Sequence, residues 1–561
     1  MDFSLSPFET SATRLRLERD LNSERTSCHV NIKGRHIFLI FPSAIEGFLL
    51  SLGRILSSGR HFLSFGPLDL AVLLAGFAGA YLLNFLILLY VSGSADRVVG
   101  GRFSRIRFLV RTVIIFALWF PVFLAYYPAI WSYDIWAQLP YTSHSLFDGT
   151  HPILHTLFIE LFMHIGKMFG SYETGMVMLS IIQMILLSLI FSYCVEKTAV
   201  RGAGLLARIL LTAFYALTPF CSILSVSMTK DVLFTGVFML MVDAAFDMIW
   251  FDPDSLFTRG FMIRFTCICI LLALLRSNGI YILAGWAVLG TIFAGKKRRL
   301  RFLLLCLLSV IIAFGADKAL RRLVHATDIH RKEALSVPIQ CMVGTALRHP
   351  VLIPPYGTGG MLFDIFPRDL YPENLADAFK PSLADPAKHY WGLYPSDRID
   401  MGNVVRTWLR IGAEYPSDYI DIWGTLTLGA WYPFDASHAA IYRENEYLLT
   451  DFKENAEVGI TACESRLPAL KNVLEQVSAY HIQQKFPALN IFFAPAIYVW
   501  ILVAFFVSFI ALLRGSDLFP LFPAALLFAT ILLGPCVLVR YMFPFMTLAP
   551  YCLAAYSGRR N

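Results

Sequence analysis

The stretch "YYPAIWSYDIWAQLPYTSHSLFDGTHP", residues 126–152, sets Asp134 among Trp131, Tyr133 and Trp136 with no lysine or arginine nearby. His144, His151 and His155 follow closely. A carboxylate within reach of a hydroxyl can take its proton, and imidazole with carboxylate also suits divalent ions. Three cations stand alone at the ends of apolar runs: Lys230 in "SMTKD", Arg276 in "LLRSNG" and Arg540 in "LVRYMFP". Asp231, beside Lys230, is either a second acid assisting an acceptor or a metal, or the partner of a nearby cation. Each residue also has a plain reading: aromatics forming an interface belt, long cations snorkelling to water.

The elements that must hold these residues are membrane helices. Hydrophobic residues make up 57% of the 561 and charged residues 16%, with mean hydropathy +0.60; soluble chains carry roughly 25% charged residues. Twelve apolar runs are expected to span, at 36–56, 68–92, 106–127, 174–194, 205–226, 232–250, 261–276, 278–295, 301–320, 491–513, 517–534 and 537–557. Run 36–56 is the weakest, interrupted by Glu46 and Arg54.

Basic residues crowd alternate connections: Arg97, Arg102, Arg105 and Arg107; Lys197, Arg201 and Arg208; "KKRRLR" at 296–301; and Arg559 with Arg560. The positive-inside rule then puts both termini in the cytoplasm and the Asp134 loop outside, in a multi-pass plasma-membrane protein. The segment "HPILHTLFIELFMHIGKMFG" (151–170) would reverse every later loop if it spanned. Its polar residues His151, His155, Glu160, His164 and Lys167 recur at helical spacing, so we expect an amphipathic helix on the outer interface, with Leu157, Phe158 and Leu161 on its other side. Residues 321–490 are too long for a structureless connection and predict a mainly helical extracytoplasmic insert, with a helix signal from Val404, Trp408 and Ile411. The resulting organisation is a cytoplasmic tail (1–35), two additional spans (36–105), a membrane module (106–320), the insert (321–490) and C-terminal spans (491–561).

In that setting, "WSYD" (131–134), "HPILH" (151–155) and "FGSYE" (169–173) resemble the acidic motif and flanking elements of the first outer loop of GT-C integral-membrane glycosyltransferases. The resemblance covers roughly 106–320, a seven-span module followed by a large outer insert as in protein O-mannosyltransferases. "RYMFP" is similar to a late-span element found near the donor phosphate. "YPAIWSYD", "SMTKD" and "RSNGIY" resemble a family of uncharacterised bacterial membrane proteins. The acidic motif carries Asp134 followed by Ile135 rather than a second acid.

The resemblance implies an all-α GT-C-like bundle of about 12 spans that transfers a hexose or pentose, with inversion, from a polyprenyl-phosphate donor in the membrane lipid. The acceptor would be a hydroxyl of a glycan, lipid or protein of the cell envelope. Asp134 would be the base, with Asp231 and His151 assisting. Lys230, Arg276 and Arg540 would hold the donor phosphate, and Trp131, Tyr133, His155, Asn278 and Gln340 would line the acceptor cavity. No cofactor is demanded by any motif; a divalent metal is left open by the histidines. A transporter, flippase, polymerase or ligase of lipid-linked saccharides is the alternative. The net charge of +7 sits in short loops beside apolar runs, which argues against a nucleic-acid partner. Cys341 and Cys463, alone in the insert, could pair if it is extracytoplasmic.

Overall fold

A computed structural model describes residues 34–93, 101–131, 134–139, 147–251, 254–352, 375–393, 395–434, 463–478, 486 and 492–558. Every regular element among them is helical. The membrane part comprises α1 (Ile40–Ser57), α2 (Pro67–Ser92), α3 (Arg105–Ala125), α4 (Ile153–Met168), α5 (Tyr172–Val200), α6 (Leu205–Leu217), α7 (Pro219–Ser225), α8 (Lys230–Phe246), α9 (Arg259–Leu275), α10 (Asn278–Phe293) and α11 (Arg299–Leu323). The insert contributes α12 (Ser336–Arg348), α13 (Met401–Glu414), α14 (Pro416–Leu426) and α15 (Pro468–Ser478), and α16 (Pro495–Ala511), α17 (Phe522–Ile531) and α18 (Val539–Ala555) return to the bundle. Proline in the first turn starts α2, α7, α14 and α16, where its missing N–H leaves no hydrogen bond unmade.

The protein is a polytopic helical membrane protein. Among the described residues six helices are long and apolar enough to cross a bilayer, those of Arg35–Ser57, α2, α3, α5, Lys230–Ile249 and α11. The run expected at 205–226 is instead a broken pair, α6 and α7, bent by 53°. Pro219 forces the break, because the residue before a proline is driven out of helical geometry; Thr218 is extended, with ψ 127. Helices α10, α16 and α17 are apolar but shorter, and α9 and α18 have 17 residues each. The interruptions of the first run are explained by pairing: buried Glu46 accepts from Asn84 at 2.9 Å, and Arg54 pairs with Asp69.

The two ends of the bundle differ in chemistry. At one end Glu196 of α5 accepts from Arg107 and Arg111 of α3. Fully buried Arg201 pairs there with Asp243 and Asp247, which also holds Lys197. Gly558, the last described residue, packs against the Arg201 backbone. Lys230 and Asp231 start the same helix that ends at Asp247, and sixteen residues at 1.5 Å each put them about 24 Å away, close to one hydrocarbon thickness.

The insert has its own core around Leu335, Ile339, Val343, Trp391, Val404 and Ile411. The helix expected from Val404, Trp408 and Ile411 is α13, with Val404 and Ile411 buried. Trp423 donates to the Leu532 carbonyl at 2.9 Å, tying the insert to the bundle. Cys341 and Cys463 are both free thiols, so the structure holds no bond between them.

Helix α4 corrects its expected orientation. It packs antiparallel to α5 in a hairpin whose backbones nearly touch: a Cβ on Gly166 would lie 2.1 Å from the Gly175 nitrogen. The buried face consists of Ile153, His155, Thr156, Ile159, Met163 and Gly166, whereas Leu161 is 54% exposed. The close glycine crossing fixes the rotation of the helix, and His155 is turned inward with it.

Candidate functional site

A short parallel bridge brings two distant segments together. Ile130 N–H donates to the Val226 carbonyl and Met228 N–H to the Ile130 carbonyl, both at 3.0 Å. Gln183, buried within α5, donates its amide to the Ser225 and Ser227 carbonyls at 2.9 and 2.8 Å. These bonds tie the two carbonyls to α5, and the Ser227 carbonyl also accepts from the Thr229 N–H at 2.9 Å. The bridge therefore sets Asp134 opposite the start of α8.

Asp134 is buried, and both its oxygens hold cations: Lys230 Nζ donates to Oδ2 at 2.8 Å, and an Arg540 Nη to Oδ1 at 3.1 Å. Asp231 accepts from Arg276 and from the Thr229 hydroxyl at 3.0 Å, and Arg540 Nε lies 3.5 Å from it. Tyr541 stacks beneath both guanidiniums, its ring centre 4.3 Å from Arg276 and 5.3 Å from Arg540. His151 Nδ1 lies 3.0 Å from Lys230 Nζ. One network thus joins residues from the loop after α3, the start of α4, and the ends of α8, α9 and α18.

The electrostatics favour anions. Three cations against two carboxylates leave one positive charge in excess. Lys230 and Arg540 also sit in the first turns of α8 and α18, where the helix dipole opposes a cation and attracts an anion. Burial disfavours the charged form of Asp134, but Arg540 and Lys230 outweigh it and hold the carboxyl well below the usual range. Burial, then the charge of Lys230, pushes the His151 imidazole down to about 4. The same causes in the same order push His155 down to about 3.

Other expected residues lie elsewhere or act differently. Trp131 is fully buried in an apolar cluster with Ile135, Ile159 and Met228, so it packs against protein and faces no open cavity. His155 Nδ1 meets Gln138 Oε1 at 2.9 Å inside the core. Asn278 bonds Thr530 at 2.9 Å, joining α10 to α17, and Gln340 donates to the Lys380 carbonyl at 2.6 Å within the insert. Tyr133 and His144 lie outside the described residues. Gln183 was missed; its signal was a lone amide inside an apolar run.

A metal fits this site poorly, because the oxygens of Asp134 already face two cations. Among the described residues one group of side chains, His61 with Asp418 and Asp421, is close enough to share an ion. There the Arg348 guanidinium already bridges both carboxylates, at 2.6 and 2.9 Å.

Beside the network, α16, α17 and α18 enclose an apolar cleft of about 200 Å³ lined by Val499, Phe506, Ala524, Phe528 and Phe545. Phe545 follows Tyr541 by one helical turn on α18, about 6 Å along the axis. The cleft thus lies one helical turn from the ring on which the two guanidiniums stack.

A family of unknown function, DUF6020, matches residues 139–560. No curated protein and no solved structure matches the chain. The matched stretch includes Lys230, Arg276 and Arg540, and Asp134 lies five residues before it.

Proposed function

We propose a glycosyltransferase activity for this chain, which belongs to DUF6020, the family of unknown function matched over residues 139–560. It is a twelve-span protein of GT-C-like fold in the plasma membrane. It transfers a sugar, with inversion, from a polyprenyl-phosphate donor to an acceptor hydroxyl on the extracytoplasmic side. The observation that carries this reading is the buried network of Asp134, Asp231, Lys230, Arg276 and Arg540.

Its charge suits the chemistry. A sugar phosphodiester brings one negative charge, which cancels the single positive excess. As the sugar leaves, the phosphate becomes a dianion while Asp134 gains the acceptor proton, and the balance is kept. The donor oxygens take over Lys230 and Arg540, so Asp134 loses its counter-ions at the moment a base is needed, and its proton affinity rises. Arg276, Arg540 and Lys230 then stabilise the leaving phosphate. The apolar cleft next to Tyr541 suits the isoprenoid chain. The location of the network, one helix length from the basic end, supports an extracytoplasmic site by the charge rule.

The test is transfer from polyprenyl-phosphate sugars by purified protein in nanodiscs. Asp134→Asn is expected to abolish it in a folded protein, and full activity in that variant would remove the assignment.

A further inference from the structure

Resting on Asp134 as base, we propose that Lys230, His151 and Asp148 form the route by which the acceptor's proton leaves the buried site. Four side chains stand in a row. Lys230 Nζ is 2.8 Å from Asp134 Oδ2 and 3.0 Å from His151 Nδ1, and His151 Nε2 is 3.8 Å from Asp148 Oδ2. Side-chain exposure rises along the row, from 10% at Asp134 through 12% and 15% to 29% at Asp148. Asp148 is held in place by Thr150, whose N–H and hydroxyl donate to its two oxygens at 2.9 and 2.7 Å. The last gap is one that a single water spans.

The chemistry of each link fits. Lys230 is donor-only, so His151 accepts at Nδ1 and, when neutral, carries its hydrogen on Nε2 towards Asp148. The groups facing His151 are Lys230 from α8, Arg540 from α18, Asp134 from the loop after α3 and Asp148 from its own loop. The two cations and burial keep the ring neutral near pH 7, and therefore able to accept.

The step balances. The acceptor O–H bond breaks as its oxygen bonds the sugar carbon, the bond from that carbon to the phosphate oxygen breaks with its electron pair on the phosphate, and the proton goes to Asp134. When the product phosphate leaves, Lys230 returns to Asp134 and takes its proton as it gives one to His151 Nδ1, and His151 releases its Nε2 proton to Asp148 and water. Asp134 and Lys230 end in their starting states. The ring regains its resting tautomer by exchange with water once products leave. Without this route the next turnover would begin with a neutral Asp134.

The experiment uses full-length protein in nanodiscs with a set of polyprenyl-phosphate hexoses and pentoses, reading release of polyprenyl phosphate in single-turnover and steady-state modes. Asp148→Asn is expected to lower the steady-state rate tenfold or more while leaving the single-turnover rate within about twofold, and His151→Gly to lower the steady-state rate at least as much. Added imidazole is expected to restore His151→Gly, and Asp148→Glu to retain the wild-type rate. A rescue by imidazole is an effect that a purely structural role would not produce. Wild-type-like steady-state rates in both variants, with wild type active, would overturn the relay and leave the transferase reading intact. No release by wild type from any donor would overturn the transferase reading, and the relay with it.

Discussion

Replacing Asp134 with Asn separates binding from chemistry. Asn keeps the shape of the side chain but removes the charge that now occupies Lys230 and Arg540, so the positive excess rises from one charge to two. A carboxylate about 5 Å from a bound phosphate opposes it by about 3 kcal/mol at an effective dielectric constant near 20. Removing it should tighten binding of polyprenyl monophosphate, the product lipid, by up to about a hundredfold. The same change removes the base and should slow transfer by at least about 10²-fold. Breaking one side of a buried ion pair costs about 3–5 kcal/mol. The lower end applies here, since Arg540 keeps Asp231 and Lys230 keeps His151. Titrating the lipid into nanodisc-held wild type and variant by thermophoresis, with thermal unfolding beside it, gives both numbers. Weaker or equal lipid binding in the Asp134→Asn variant would refute the view that the carboxylate and the phosphate compete for the same cations.

Other outcomes follow from single features. Polyprenyl diphosphate should bind more weakly than the monophosphate, because its additional charge leaves a buried excess that nothing in the network cancels; competition binding would reveal the order. His155 is buried neutral with its pKa lowered to about 3, so its contribution to stability is complete above about pH 6.5 and declines as pH falls from there towards 3, by up to about 5 kcal/mol. His155→Gln should flatten the melting temperature over that range. Gly166→Leu should separate α4 from α5, since even a Cβ would meet Gly175 N at 2.1 Å; overpacking costs about 1–3 kcal/mol or more, measurable by thermal unfolding. Glu46 Oε1 and Asn84 Oδ1 are buried acceptors without a donor, so Glu46→Gln, which supplies one, should melt no lower than wild type, whereas Glu46→Leu should melt several degrees lower.

Charge made much of this architecture legible. Periodic apolar runs located the helices, and the distribution of Lys and Arg sorted their ends, which placed Asp134, Lys230, Arg276 and Arg540 at one end of the bundle despite separations of up to 406 residues. Which carboxylate meets which cation was not legible, because that register depends on the Ile130–Ser227 bridge, the Gln183 amide and the bend at Pro219. None of these leaves a periodic trace. In α4 the expected polar stripe holds at His164 and Lys167, which are exposed, but the Gly166–Gly175 crossing turns His155 inward. Gln340 and Asn278 were singled out for their type alone, and each satisfies a structural partner.

The same pairs that prepare the site also hold it together. Asp134 and Asp231 are the two carboxylates that meet its three cations among the described residues, and through them they tie the loop after α3 to α8, α9 and α18. A buried cation cannot be left without a partner, and the two acids supply one to all three. The residues therefore bond one another rather than line an open cavity. Ligand binding at such a site is an exchange of anions, and its affinity measures phosphate against carboxylate rather than phosphate against water. On the proposed reading Asp134 is freed to take a proton only once the donor phosphate has drawn Lys230 and Arg540 away, so the base and the bond it helps to break come into play together.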